Sequence, residues 1–94
     1  MFEWDARKAV ANRSKHGVSF EEAATVFGDP DALDGPDLRH SEEESRFLRL
    51  GRAATGRVLI VAYTVRREGD GESIRIISAR RASRKERAVC AARD

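Results

Sequence analysis

Apolar positions recur with two different periods along this chain, and the change of period divides it near residue 46. Residues 6–15 hold neither glycine nor proline. Asp5 before them suits an N-cap and Gly17 after them suits a left-handed stop, so the pattern predicts a first helix. Phe20, Ala23, Ala24 and Phe27 then recur at i, i+3, i+4 and i+7, the apolar stripe of a second helix ending near Gly28 and Pro30. Ser19 and Glu22 have the S-x-x-E spacing of a capping box at its start. About two residues join the pair, which predicts an αα-hairpin. Phe2 to Trp4 leaves room for a short strand ahead of them.

Beyond residue 46 the period is two. Segments 46–53, 57–67 and 73–81 read as strands, separated by Thr55-Gly56 and by Gly69-Asp70-Gly71. Turns this short make consecutive strands antiparallel, a β-meander. Residues 58–63 (VLIVAY) are apolar on both alternations, as in a central strand covered on both faces. In the last strand Ile74 and Ile76 alternate with Arg75. Ser83 and Glu86 repeat the S-x-x-E spacing and open a short terminal helix through Arg93. Between the halves, residues 29–45 are acidic and rich in turn formers: a loop with space for a short edge strand. The order predicts an α+β fold, two N-terminal helices packed on an antiparallel sheet of three or four strands, followed by a short C-terminal helix.

Ninety-four residues allow one domain, 1–94, with a thin core. No apolar run nears the ~20 residues of a membrane helix. The N-terminus lacks the basic-then-apolar order of a secretory signal. The single cysteine, Cys90, cannot form an internal disulfide, so a cytoplasmic setting away from membranes is expected.

Charge changes the picture more than composition does. The net charge is only +2, but residues 1–42 carry five Lys/Arg against nine Asp/Glu, and residues 43–94 carry thirteen against seven. The balance is thus −4 and then +6, and twelve of those thirteen cations are arginine. The planar arginine fork fits phosphate bidentately and stacks on bases, so a polyanion, most commonly nucleic acid, is the expected partner of the second half. The competing view is a set of solvated faces partly neutralised by neighbouring glutamates.

Most catalytic chemistries fail on spacing. Asp29, Asp31, Asp34 and Asp37 invite a calcium loop, but counting from Asp29 puts Leu33 at position 5, Asp34 at position 6 and His40 at position 12, where an EF-hand needs a ligand, a glycine and a glutamate. One cysteine and two histidines 24 positions apart make no zinc site. Neither a G-x-S-x-G elbow nor a phosphate-binding glycine loop occurs, and no cofactor is expected. His40 reads as a surface residue. His16 ends the first helix, where a cation also complements the macrodipole, so capping and acid–base roles both fit. The run from Arg80 to Arg87 (RRASRKER) sits where a strand hands over to a helix, and free amides there favour a phosphate.

Three segments together resemble one family. Phe2-Glu3-Trp4-Asp5 with Lys8 and Asn12, then residues 15–23 (KHGVSFEEA), then residues 74–87 (IRIISARRASRKER), look like the BrnT family of bacterial type II toxins, over nearly the whole chain. The resemblance implies a RelE-like fold and a ribonuclease that cuts mRNA and arrests growth. It also implies a co-expressed BrnA-type antitoxin with a ribbon-helix-helix region, and operator DNA bound only through the toxin–antitoxin complex. Relatives often carry a tyrosine near the position of Cys90, where an aromatic could stack on a base.

RNA brings its own nucleophile, the 2′-hydroxyl. A metal-independent ribonuclease needs a proton acceptor, cations for the phosphorane and a proton donor for the 5′-oxygen. The expected catalytic residues are His16 as acid or base and Arg46 and Arg80, which begin and end strands of the sheet. Glu86 is a weaker acid–base candidate because of its capping duty. Lys15, Arg81, Arg84 and Lys85 are expected to grip phosphates. The alternative is a module that uses the same arginines to hold nucleic acid or an acidic protein without cutting.

Overall fold

A computed structural model describes residues 1–39 and 45–92, with Glu68 as backbone only. Asp5 accepts from the amides of Arg7 and Lys8 at 2.8 and 3.1 Å and starts α1 (Ala6–His16). Those two bonds hold the Asp5 carboxyl below the ordinary carboxylate range. Gly17 ends the helix at φ 69°, its N–H donating to the Arg13 carbonyl. Ser19 accepts from the Glu22 amide at 3.0 Å and starts α2 (Phe20–Thr25). This helix is shorter than its apolar stripe, because Val26–Gly28 tightens into a 3₁₀ turn. The Glu22 carboxylate turns away from the cap: it forks onto the Arg57 guanidinium and accepts from the Thr55 hydroxyl at 2.5 Å.

The strands are β1 (Phe2–Glu3), β2 (Leu33–Pro36), β3 (Phe47–Arg52), β4 (Val58–Glu68) and β5 (Gly71–Arg81). They form one sheet in the order β1-β5-β4-β3-β2. The expectation of three or four antiparallel strands is corrected here: the described residues form five strands in a mixed sheet. β1 lies parallel to β5, Phe2 opposite Ile74 and Glu3 opposite Arg75. A parallel pair needs a long crossover, and the chain from α1 to β4 supplies it. The remaining pairs are antiparallel, as the meander predicts. Gly69, at φ 60°, lets β4 turn into β5 through Gly69-Asp70, a tighter turn than the three residues expected. β2 keeps to the edge, where Pro36 removes no ladder bond from a central strand.

Alternate residues of β4 serve two cores, the two-sided cover that its apolar run predicts. Leu59 and Val61 meet Val18, Phe20, Ala23 and Val26 under α1 and α2, with Ile76 and Ala79 from β5. Trp4 closes that layer, its ring edge-on to Phe20 at 6.0 Å. On the opposite face Val58 and Ile60 meet Ala82 and Cys90 beneath α3 (Arg84–Ala91). α1 and α2 both brace β5 and touch one another little, so the expected αα-hairpin is two separate braces. Six residues give α2 too little surface to pack along α1.

Ser83 and Glu86 form the predicted capping box of α3. Cys90 is buried in the second core, so its position belongs to packing and not to a surface on which a base could stack. His40 and Arg93 lie outside the described residues. Among the described residues, no helix is long and apolar enough to cross a membrane.

Candidate active site

The sheet face that carries α3 is only partly covered by it. Beside the helix an open cleft of about 340 Å³ remains, floored by Leu48, Ile60 and Ala62. The register explains the floor: Leu48, Ala62 and Ser78 lie in one row across three strands, and Leu50, Ile60 and Arg80 in the next. A β-bulge shifts the β4–β5 register at Ala62/Tyr63 and turns both Ile77 and Ser78 toward the cleft. Bulges re-aim side chains in this way beside functional sites.

Three polar groups from distant parts of the chain meet at the rim: His16, Arg46 and Arg80. All three are residues that the sequence marks as catalytic candidates. His16 arrives there because of Asn12, four residues earlier on the same face of α1. The Asn12 side chain is buried and acts as a short substitute strand for the outer edge of β5. It donates to the Ala79 carbonyl at 2.8 Å, accepts from the Ala79 amide at 3.1 Å and donates to the Val18 carbonyl at 3.0 Å. This clamp fixes the end of α1 against Ala79, and His16 four residues on lines the same cleft as the next residue, Arg80. Arg46 stands just ahead of β3, its carbonyl accepting from the Asp37 amide at 2.8 Å and extending the β2–β3 ladder.

Arg80 is oriented by Glu86. Nη1 and Nη2 donate to the two carboxylate oxygens at 2.8 and 2.9 Å, while Oε1 also accepts from the Ser83 amide. The Arg80 cation, with the capping bond behind it, lowers the Glu86 carboxyl to about 2, and Glu86 in turn raises Arg80. Glu86 is therefore a fixed anion near neutrality. It positions Arg80 and caps α3, which suits neither a general acid nor an effective base.

The other candidate residues separate. Lys15 is exposed on α1 and does not line the cleft. Arg84 and Lys85 are exposed on the first turn of α3. Arg81 follows Arg80 on a strand, so it points the other way and lines a different cleft. The sequence reading gave no role to Asp37, a buried carboxylate (8% exposed) in the wall of the first cleft, nor to Arg39 and Ser78 there. Asn12 is named there only for its place in the resembling N-terminal segment, with an i, i+4 spacing to His16 as its local signal; Asp37 is weighed only for a calcium loop whose spacing fails. Among the described residues no three His, Cys, Asp or Glu side chains cluster as a metal site would require.

A mixed sheet with helices on both faces and an arginine-rimmed cleft defines a small α+β protein with a positively charged concave site. The family described as "Ribonuclease toxin, BrnT, of type II toxin-antitoxin system" matches residues 4–86, and the chain belongs to that family. Membership makes it a ribonuclease toxin with an antitoxin as partner. The chain is also similar to the Brucella abortus ribonuclease toxin BrnT in its 1.1 Å crystal structure, with a TM-score of 0.63 and 23% identity. That match covers 89% of this chain and 99% of the other, and at this identity it shows the shared fold. No curated protein matches the chain.

Proposed function

We propose that this chain is a metal-independent endoribonuclease on a RelE-like scaffold, which cuts mRNA by attack of the 2′-hydroxyl and so arrests growth. The observation that carries the proposal is the convergence of His16, Arg46 and Arg80 on one cleft. His16 takes the 2′-hydroxyl proton, the general-base role that a histidine side chain most often fills. The 2′-oxygen attacks phosphorus and the bond to the 5′-oxygen breaks, leaving a 2′,3′-cyclic phosphate and a 5′-hydroxyl. Water at the open mouth of the cleft returns a proton to the departing oxygen. Arg46 and Arg80 face the charge that grows on the phosphorane, and Arg80 needs no reorganisation because Glu86 already holds it. Lys15, Arg84 and Lys85 grip phosphates to either side. A BrnA-like ribbon-helix-helix antitoxin neutralises the toxin, and operator DNA is bound only through that complex.

The test is cleavage of a defined RNA by the purified chain in EDTA, with the ends of the products identified. Cyclic phosphate and 5′-hydroxyl ends are expected. Intact RNA, or 3′-hydroxyl and 5′-phosphate ends, would overturn the mechanism.

A further inference from the structure

A second cleft, of about 300 Å³, lies where the β3–β4 turn meets the β5–α3 junction. Its walls carry four arginines: Arg52 from the end of β3, Arg57 from the β3–β4 turn, Arg81 from the end of β5 and Arg87 from α3. The other lining residues are Gly56 and Val58, so among the described residues no acidic side chain lines it. Three of the guanidinium groups are held rather than loose. Arg52 donates to the Gly56 carbonyl and Arg87 to the Ala82 carbonyl, each at 3.1 Å, and Arg57 forks onto Glu22 and donates to the Gly17 carbonyl at 3.0 Å. Glu22 stands behind Arg57, its carboxyl lowered chiefly by that guanidinium and slightly by Arg81. Behind the four cations stand Glu22, against Arg57, and Asp29, which accepts from the Arg52 amide; the four guanidinium groups still leave a positive field in a concave site, which focuses on an anion.

The second cleft is tied to the first by the sheet. Arg80 enters one and Arg81 the other, and on β4 Ile60 lines one and Val58 the other. Two residues of strand advance about 7 Å, on the order of the distance between neighbouring phosphates along one nucleic-acid strand. The chain places exposed Arg84 and Lys85 between Arg81 and Arg87. A single strand lying across the first turn of α3 would thus meet cations throughout. The planar forks favour phosphate, and the continuity with the first cleft favours RNA over an acidic protein segment. We propose that the four-arginine cleft is a subsite for an RNA backbone phosphate next to the phosphate cleaved. The proposal rests on the first cleft being the cleavage site.

The probe is a fluorescent 2′-O-methyl oligoribonucleotide, which lacks the nucleophile, so binding is read whether or not the chain cuts RNA. Affinity is measured against salt for the wild-type chain, for Arg52→Ala/Arg87→Ala, and for Arg7→Ala/Arg13→Ala. The last pair removes equal charge from the exposed face of α1. The cleft variant should bind several-fold more weakly and lose about 0.7 from the slope of log K against log salt for each phosphate released. The α1 variant should keep the wild-type slope. Arg81→Gln supplies a second, single-site variant, and thermal melts confirm that each chain is folded. Equal slopes for the cleft and α1 variants would overturn the subsite. So would loss of antitoxin binding with RNA binding intact, which would give the cleft to the protein partner. Failure of the cleavage reading would look different: intact 2′-hydroxyl RNA with the slope effect preserved.

Discussion

Replacing Asn12 by alanine should both loosen the fold and misplace the proposed base. The side chain makes three hydrogen bonds in a buried site, two of them to the amide and carbonyl of Ala79. Each is worth about 1 kcal/mol net, and a buried N–H left without an acceptor costs a further ~1–3 kcal/mol. The expected loss is therefore about 4–6 kcal/mol, a large share of the ~5–15 kcal/mol typical of whole domains. At ~4–8 °C per kcal/mol for a domain of this size, the melting midpoint should fall by roughly 15 °C or more. Urea titration is the assay, and the slope m should hold while the midpoint drops, because no less surface is exposed on unfolding. Below its melting range the variant should also lose kcat more than KM, since the Asn12 clamp helps to hold the end of α1, and with it His16, at the cleft. A misplacement of about 1 Å can cost ~100-fold in rate. A stability loss under about 1 kcal/mol would refute the reasoning, because a clamp of three buried bonds cannot be that cheap to remove.

Three further outcomes follow from the packing and the charges. Gly51→Ala places a methyl 2.8 Å from Ala32 Cβ and 2.9 Å from Val26 Cγ1, which overpacks the seam between β3 and the 3₁₀ turn and should cost about 1–3 kcal/mol by thermal melt. Glu86→Gln keeps an acceptor for the Ser83 amide but loses the charged fork, and solvent screening at Arg80, 46% exposed, limits the stability loss to about 1 kcal/mol at neutral pH. Because the folded Glu86 carboxyl is lowered from 4.5 to about 2, that stability is fully present above pH 4.5. The gap between wild type and variant should shrink as pH falls toward 2, and an acid titration of both chains reads it. Tyr63→Phe removes the bond from the phenol to Asp34 at 2.6 Å, and should cost about 1–2 kcal/mol in urea while leaving the cleft untouched.

Local signals carried the secondary structure. The caps at Asp5, Gly17, Ser19 and Ser83 depend on a few neighbouring residues, and all four stand where the chain places them. The two-faced strand at residues 58–63 was equally legible, since its apolar run has no polar alternation to expose. What failed was non-local. Two residues at the N-terminus hold no information about a partner more than 70 positions away, so the parallel β1–β5 pair was hidden. Glu22 had the spacing of a capping box, but Arg57 from the β3–β4 turn outcompeted the backbone for its carboxylate. At the site, chemistry selected His16, Arg46 and Arg80, and the topology brings them to one cleft. The period of a strand separates Arg80 from Arg81, so charge clustering along the chain overstated what one site could gather.

The central claim is that the cleft holding His16, Arg46 and Arg80 performs the cleavage. Its most direct test is the single-turnover rate of Arg80→Ala at saturating RNA, measured beside a thermal melt and antitoxin binding. Loss of one fixed donor to the developing charge predicts a fall of about 10²–10³-fold, with fold and antitoxin affinity retained. A rate close to that of the wild-type chain would contradict the account.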